Sequence, residues 1–253
     1  MTVSLIVPVY KAEPWIDECM AAIRAQTYRD VELIVIDDKE GTGAAAARNR
    51  GLEKATGEYV VFCDADDLLE VDSIEKMVKS IEWDYGIDMV CGSFRKFGNF
   101  DQLVTHPSVV FDMPKLAEYV IGNLRNPRSN QMLSGCWAKL YRRDFVEPFP
   151  LLTTAEDMAF NFDYLTRCKR VTFLADTVYY NRKRDGSLST TYDERNRPGL
   201  FGFLEGLKYV KRFLEAFYPA DEIEDAVDIA KVYHSILYAQ RIGPEALKKV
   251  FPC

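Results

Sequence analysis

The chain has 253 residues, 48% of them hydrophobic and 28% charged, which suits one large α/β domain or a domain with a helical appendage. Its net charge of −7 argues against general nucleic-acid binding. No apolar run reaches the roughly 18 residues that would cross a bilayer. Six scattered cysteines (Cys19, Cys63, Cys91, Cys136, Cys168 and Cys253) form no CxxC pair, so a reduced, cytoplasmic chain is expected rather than a disulfide framework or a zinc ribbon.

The opening MTVSLIVPVYKAEPW lacks a basic leader and a small-residue cleavage site, so residues 3–10 predict a first strand and not a signal peptide. Their β-branched apolar run suits a strand buried on both faces, finishing near Pro8. Residues 14–27 carry Trp15, Cys19, Ala22, Ile23 and Gln26 at helical spacing, with Pro14 in the first turn. VELIVIDD (31–38) is a second apolar strand that ends in two carboxylates and completes a βαβ unit. GTGAAAARNRGLEKATG (41–57) supplies a glycine-rich turn and an alanine-rich helix closed by Gly57, and EYVVFCDADD (58–67) is a third strand ending in acids. A helix at about 70–82 and a strand at 87–94 extend the alternation.

Residues 101–133 mix strand or loop with a helix near 114–124. A helix at about 156–168 and strands near 170–175 and 177–183 follow. From 199 onward the pattern is helical, with two further helices over about 221–251. Strands alternating with helices predict an α/β fold with an open, doubly wound, mostly parallel sheet flanked by helices, and a helical C-terminal segment. Residues 121–197 hold 13 Lys/Arg against 9 Asp/Glu, either a solvated surface or a segment that meets phosphate.

Ligands of open α/β sheets sit beyond the carboxyl ends of the strands. Two successive strands deliver Asp37, Asp38, Asp64, Asp66 and Asp67 to that edge. Five carboxylates in one crevice repel one another, and a divalent cation relieves the repulsion. Magnesium-type sites use one or two carboxylates and complete their shell with ligand phosphates, so the pattern predicts a metal-bridged diphosphate.

Three rival readings are weaker. GTGAAA (41–46) matches a GxGxxA dinucleotide fingerprint with Asp64 downstream, yet DDKE separates it from its strand and one ribose-binding acid does not explain DADD. An aspartate-based phosphatase carries its motif on the first strand. A calcium loop requires glycine where Leu69 stands.

VSLIVPVYKAEPWIDECMAAIRAQTYRDVELIVIDD followed by AAARNRGLEKATGEYVVFCDADD resembles the start of family 2 glycosyltransferases, inverting enzymes of GT-A fold that use sugar nucleotides. WAKLYRRDF (137–145), AEDMAF (155–160) and YYNRKRDGSLST (179–190) are similar to acceptor-side motifs of bacterial polysaccharide-building members. The resemblance implies a GT-A-like catalytic domain over 1–195, with a nucleotide-sugar half at 1–100 and an acceptor half at 101–195, and a helical segment at 196–253. It places Pro8, Val9 and Tyr10 beneath the nucleotide, Glu13 near the base or ribose, and Asp38 or Asp37 on a uracil-type base. Arg48 is implied beside the diphosphate or sugar. Asp64 and Asp66, flanking Ala65, are the DxD pair and the implied metal ligands, and Asp67 contacts donor sugar or metal.

Asp157, paired with Glu156, matches the family's catalytic base, although acids are common at helix starts for purely structural reasons. Trp137 is either a core aromatic or a platform for a sugar ring, and the resemblance implies that it walls the acceptor cleft, with Lys139 also on the acceptor side. Arg182 and Arg184 alternate onto one strand face, suited either to a diphosphate or to the solubility of an exposed strand, and the resemblance implies that Ser187 and Ser189 follow in a loop that closes over donor phosphate. The implied partners are Mn2+ or Mg2+, a nucleotide-sugar (UDP-linked) donor and a glycan or lipid-linked glycan acceptor. The implied place of work is the cytoplasm, at the inner face of the membrane. His106 and His234 fall in no matching motif, so no histidine ligand is assigned. The final helices are candidates to cover the core, to pair with a second copy as a homodimer or to touch a membrane, and packing on the core is the default. The alternatives are a non-catalytic sugar-nucleotide-binding or scaffold protein of the same fold, and a nicotinamide-dependent oxidoreductase.

Overall fold

The computed structural model describes residues 1–99, 101–127, 132–152, 154–183 and 197–242, and the side chains of 197–201 and 239–242 fall outside that description. In chain order the elements are β1 (Val3–Val9), α1 (Ile16–Arg24), β2 (Val31–Asp37), α2 (Ala44–Leu52), β3 (Tyr59–Phe62), β4 (Leu68–Leu69) and α3 (Ser73–Trp83). They continue with β5 (Met89–Gly98), β6 (Gln102–Val104), β7 (Val109–Asp112), α4 (Met113–Arg125), β8 (Lys139–Arg142), α5 (Glu156–Leu165), β9 (Arg170–Lys183), α6 (Arg197–Leu214) and α7 (Ala220–Ile242).

The sheet order is β2-β1-β3-β8-β5-β9-β4, with β6 paired to β5 and β7 to β9. Most paired residues lie in parallel ladders, namely β1–β2, β1–β3 and the long β5–β9 pairing. β8 enters antiparallel between β3 and β5, an insertion the simple strand–helix alternation does not anticipate. Val3–Val7 of β1 are fully buried, as a strand covered on both faces requires. β2 is the edge strand: Ile34 and Ile36 face the core, while Leu33 and Val35 remain exposed.

Several expected boundaries move. α1 begins at Ile16, and Pro14 lies in the turn before it. Gly57 does not cap α2, which ends at Leu52. It lies where the chain crosses β1, and a Cβ there would come within 2.7 Å of the Ser4 backbone nitrogen. The two strands expected over 170–183 are one strand, irregular where it passes from Leu174 to Thr177. Of the two helices expected over 221–251, α7 alone spans Ala220–Ile242, and residues 243–253 lie outside the described ones.

Leu207, Val210, Phe213 and Leu214 of α6 join Ile223, Ala226 and Val227 of α7 in the same apolar core as β1 and β3. These helices pack on the core, and the core is continuous across the boundary expected near residue 195. Small residues let α6 approach α5 and the turn before it closely: a Cβ at Gly206 would lie 2.3 Å from the Met158 side chain, and one at Gly202 1.8 Å from the Thr154 hydroxyl. Among the described residues, no helix is long and apolar enough to cross a membrane.

Candidate functional site

Because β1, β2 and β3 run parallel, their carboxyl ends open at one edge of the sheet, and the acid-bearing loops leave from that edge. The five aspartates differ in burial and in partners. Asp37 is exposed and ion-paired to Lys39 at 3.1 Å. Asp38 is buried and closes the loop that follows it: Oδ1 accepts from the Thr42 hydroxyl at 2.6 Å and Arg50 at 2.7 Å, and Oδ2 accepts from the Gly43 N–H at 3.1 Å. Burial opposes its charge, but these donors outweigh burial and hold its pKa down at about 2. Gly41 sits against the Tyr10 ring and Gly43 starts α2, both at positive φ. Tyr10 and Glu13 are exposed and Pro8 and Val9 half-buried on the same rim.

In the loop after β3, Asp67 is also buried. Its carboxylate accepts from the Tyr179 hydroxyl at 2.8 Å, the Asn181 amide at 2.9 Å and the Arg182 N–H at 2.6 Å. Burial and the nearby Asp64 and Asp66 carboxylates push its pKa up to about 8 against the pull of those donors. Asp67 therefore fastens the loop to β9, where donor-sugar or metal contact was expected. Ala65 is buried beside it, and Asp64 and Asp66 are half-buried.

Arg48 joins this loop to the second acidic motif. The alanine- and glycine-rich face of α2 lies flat on β1, with a Cβ at Gly51 only 2.4 Å from the Ile6 side chain, and this close approach delivers Arg48 to the open edge. The residue is 3% exposed. Nη2 donates to Asp64 at 2.8 Å, and Nη1 donates to Asp157 at 2.7 Å and Glu156 at 3.3 Å. Burial works against the charge, but the Asp157, Asp64 and Glu156 carboxylates raise the pKa well above its ordinary value. Burial and the Asp157 charge push Glu156 up to about 7, against the pull of Arg48. The next two residues also reach fixed partners. Asn49 exchanges two hydrogen bonds with the Phe149 backbone at 3.0 and 2.7 Å, and Arg50 holds Asp38.

Glu156 and Asp157 open α5, where acids favour the helix dipole, but the residue before them, Ala155, is left-handed at φ 60°. The other Oδ of Asp157 accepts from the Cys136 N–H at 3.2 Å. Non-glycine residues at positive φ are Lys11, Ala138 and Ala155 among the described residues, each next to a predicted site residue.

Trp137 is half-buried, stacked on Tyr179 at 5.0 Å and edge-on to Phe94. The stack leads back to the donor loop, because the Tyr179 hydroxyl also accepts from the Asp64 N–H at 3.0 Å. Lys139 departs from expectation. It is 2% exposed, and its ammonium donates to the carbonyls of Gly135 at 2.6 Å and Trp137 at 3.2 Å, facing protein and not the crevice. Arg182 donates to the Asp66 carbonyl at 2.8 Å and Glu18 at 2.6 Å and lies over the Phe97 ring, so its fork is already engaged. Arg184, Ser187 and Ser189 lie outside the described residues.

Among the described residues, five cations of the positive excess over 121–197 lie away from this edge. Arg142, Arg143, Arg167, Lys169 and Arg170 sit at the opposite edge of the sheet, where Arg142 pairs with Asp88, Arg170 with Asp84 and Arg167 with Asp163.

Among the described residues, no group of three or more His, Cys, Asp or Glu side chains could hold a metal by themselves. His106 packs among Phe111, Tyr119 and Phe173, and His234 lies against Phe203. The chemistry of the donor set fits a two-carboxylate site at Asp64 and Asp66 whose remaining ligands come from phosphate. The five described cysteines are free and buried.

Sequence inspection missed Tyr179, Asn181, Arg50, Asn161 and the Cys136 N–H. Tyr179 and Asn181 stand at alternate positions of β9, and that period-2 placement toward the acids was the available signal. Nothing in the local sequence marks the Cys136 amide.

The model of glycosyl transferase family 2 matches residues 4–42 and 39–148, more than half of the chain. Glycosyltransferase GlyA of Streptococcus pneumoniae is 27% identical over 226 residues, covering 76% of this chain and 32% of GlyA. The uncharacterized glycosyltransferase EpsJ of Bacillus subtilis is 27% identical over 220 residues, covering 74% of this chain and 62% of EpsJ. The chain thus spans about a third of the first relative and under two thirds of the second. TarS of S. aureus, solved in complex with UDP-GlcNAc, has a TM-score of 0.73 at 18% identity, covering 99% of this chain and 78% of that one. The mannosyltransferase PcManGT of Pyrobaculum calidifontis, solved with GDP-Man and Mn2+, has a TM-score of 0.57 at 21% identity, covering 98% and 78%. These structures share the GT-A fold with the chain.

Proposed function

The chain belongs to glycosyltransferase family 2, and from that premise we propose that it transfers a sugar from a nucleotide donor to an acceptor hydroxyl with inversion, Asp157 taking the hydroxyl proton. The observation that carries this reading is the Arg48 fork. It gathers Asp64 of the donor loop and Glu156–Asp157 of α5 around one guanidinium, so both sides of a displacement share a single crevice.

In an inverting transfer the acceptor oxygen attacks the anomeric carbon as the bond to the diphosphate breaks, and a carboxylate on the acceptor side takes the proton. Asp157 suits that task because Arg48 and the Cys136 N–H fix its two oxygens from different directions. Asp64 and Asp66 would hold a divalent cation together with diphosphate oxygens, and the cation would stabilise charge on the leaving group. Asp37, exposed on the rim, remains available to a base, whereas Asp38 shapes the loop beneath it. The nucleotide sugars bound by TarS and PcManGT support a nucleotide-sugar donor here, UDP-linked by the resemblance, and Mn2+ in PcManGT supports the metal. The acceptor proposed is a glycan or lipid-linked glycan.

The test is a panel of UDP-, GDP- and dTDP-sugars incubated with and without Mn2+, followed by release of nucleoside diphosphate. Metal-dependent release from at least one donor is expected, with a loss of about a hundredfold or more in kcat for Asp157→Asn. A panel that is neither bound nor turned over defeats the reading, and full turnover by Asp157→Asn removes the proposed base.

A further inference from the structure

Lys139 is a buried cation without a carboxylate partner within 4 Å among the described residues. Such a charge needs a compensating set of acceptors, and the loop over Ser134–Ala138 supplies it. The ammonium takes the Gly135 and Trp137 carbonyls. The Asn161 amide donates to the Leu133 and Gly135 carbonyls at 2.8 and 2.9 Å, and the Tyr141 hydroxyl bridges the Cys136 carbonyl and Asn161. The carbonyls of 133, 135, 136 and 137 thus all point into one buried polar cage, and Ala138 turns left-handed at φ 56° to close it.

The consequence falls on Asp157. The Gly135 carbonyl and the Cys136 N–H belong to one planar trans peptide and point in opposite directions. Holding the carbonyl in the cage therefore aims the N–H outward, and its acceptor is Oδ2 of Asp157. We propose that Lys139 is a positioning residue, which by clamping the Gly135 and Trp137 carbonyls aims the Cys136 N–H at Asp157 and seats the Trp137 ring on Tyr179. The proposal rests on the transferase reading for its kinetic consequence, while its geometric part stands without it. Lys139 touches no reacting atom. It acts through the peptide it holds, and a misplacement of about 1 Å at a reacting group lowers turnover by up to about a hundredfold.

The experiment compares wild type with Lys139→Met, which keeps the chain length and removes the ammonium. The Cys136 amide proton is followed by NMR on the protein alone, and kcat and KM are measured on whichever panel donor releases nucleoside diphosphate. The expected results are an upfield move of the Cys136 amide proton, a fall of about tenfold or more in kcat, and a donor KM within about twofold of wild type. In an Asp157→Asn background, Lys139→Met should lower kcat no further, because the two changes remove one arrangement. Simple loss of fold would instead multiply the two effects.

An unmoved Cys136 amide, wild-type kcat in Lys139→Met, or multiplied losses in the double variant each overturn the proposal. Should Lys139→Met not fold, Lys139→Gln keeps a polar group in the cage, but its amide ends one atom short of the ammonium and no longer clamps both carbonyls. The same loss confined to kcat is then expected, and wild-type kcat overturns the idea. A wild-type protein that turns over no donor defeats the transferase reading, and the amide shift still decides whether Lys139 aims the peptide.

Discussion

Replacing Arg48 by Met tests how the site's acids are held, without reference to any substrate. The Arg48 side chain is 4% exposed, and its three carboxylate partners Asp157, Glu156 and Asp64 are 17%, 18% and 27% exposed. Removing one partner of a buried ion pair costs about 3–5 kcal/mol, and the partial hydration of these carboxylates places the loss near the lower end, about 3 kcal/mol at pH 8. The cost should depend on pH in a definite sense. Glu156 already sits at about 7 against an ordinary 4.5 with Arg48 present, and loss of the Arg48 charge that pulls it down raises it further. A carboxylate raised in the folded state keeps a proton there that the unfolded chain releases. Stability is therefore lost as pH climbs through the raised value and is recovered as pH falls toward 4.5. Urea denaturation of wild type and Arg48→Met should give a difference of about 3 kcal/mol at pH 8, shrinking to about 1 kcal/mol at pH 5. Arg48→Lys should fall between, since an ammonium cannot span the two motifs as a planar fork does. A difference below about 1 kcal/mol at pH 8, or one that does not change with pH, would refute the claim that Arg48 offsets the repulsion of these acids.

Other perturbations follow from the same contacts. Asp38→Ala removes the acceptor for Thr42, Gly43 and Arg50 and should cost about 2–3 kcal/mol at pH 7. That advantage of the wild type is fully present above about 4 and fades as pH falls toward 2, since Asp38 is depressed to about 2; acid titration of both proteins by circular dichroism would show it. Asp67→Ala strands the Tyr179 hydroxyl, the Asn181 amide and the Arg182 N–H, and should lower stability by about 2–4 kcal/mol in thermal unfolding. An unchanged midpoint would show that Asp67 does not fasten the loop. Gly202→Ala should cost about 1–3 kcal/mol, because its Cβ would meet the Thr154 carbonyl at 2.5 Å and backbone cannot swing aside. Gly122→Ala on α4 opens into space and should instead stabilise by about 0.5–1 kcal/mol, so equal effects at the two glycines would count against the packing of α6 on the turn that precedes α5.

The site was legible in the sequence where strand-end geometry decides it. Apolar runs followed by IDD and DADD place their acids at the carboxyl edge of a parallel sheet, and the structure puts them there. What those acids touch was not legible, because their partners are distant in the chain. Asp67 is held by residues 112 to 115 positions away, and Arg48 reaches Asp157 across 109. β8 escaped for a related reason: four residues, KLYR, are too few to show a period, and their strand exists because β3 and β5 flank it. Lys139 follows Trp137 and Ala138 and precedes Leu140, a context in which a lysine usually snorkels to solvent. Only the cage of carbonyls around it makes burial tolerable.

The run Arg48-Asn49-Arg50 places three polar side chains one after another on α2. Three polar residues in sequence on a helix of nine suggest a solvated side, yet successive helical positions turn by about 100°, so each of the three points a different way. One goes to the paired acidic motifs, one to the backbone at Phe149 and one to Asp38. The buried face of α2 consists of Ala45, Ala47, Arg48 and Gly51. Small residues beside a buried arginine are informative, because they bring the helix close enough to the sheet for the guanidinium to meet carboxylates from both sides. The acids on either side of Arg48 arise from separate loops, and each set alone has an ordinary structural explanation. The arginine between them makes them one site, and its fork fixes one oxygen of Asp157 beside the Asp64 carboxylate.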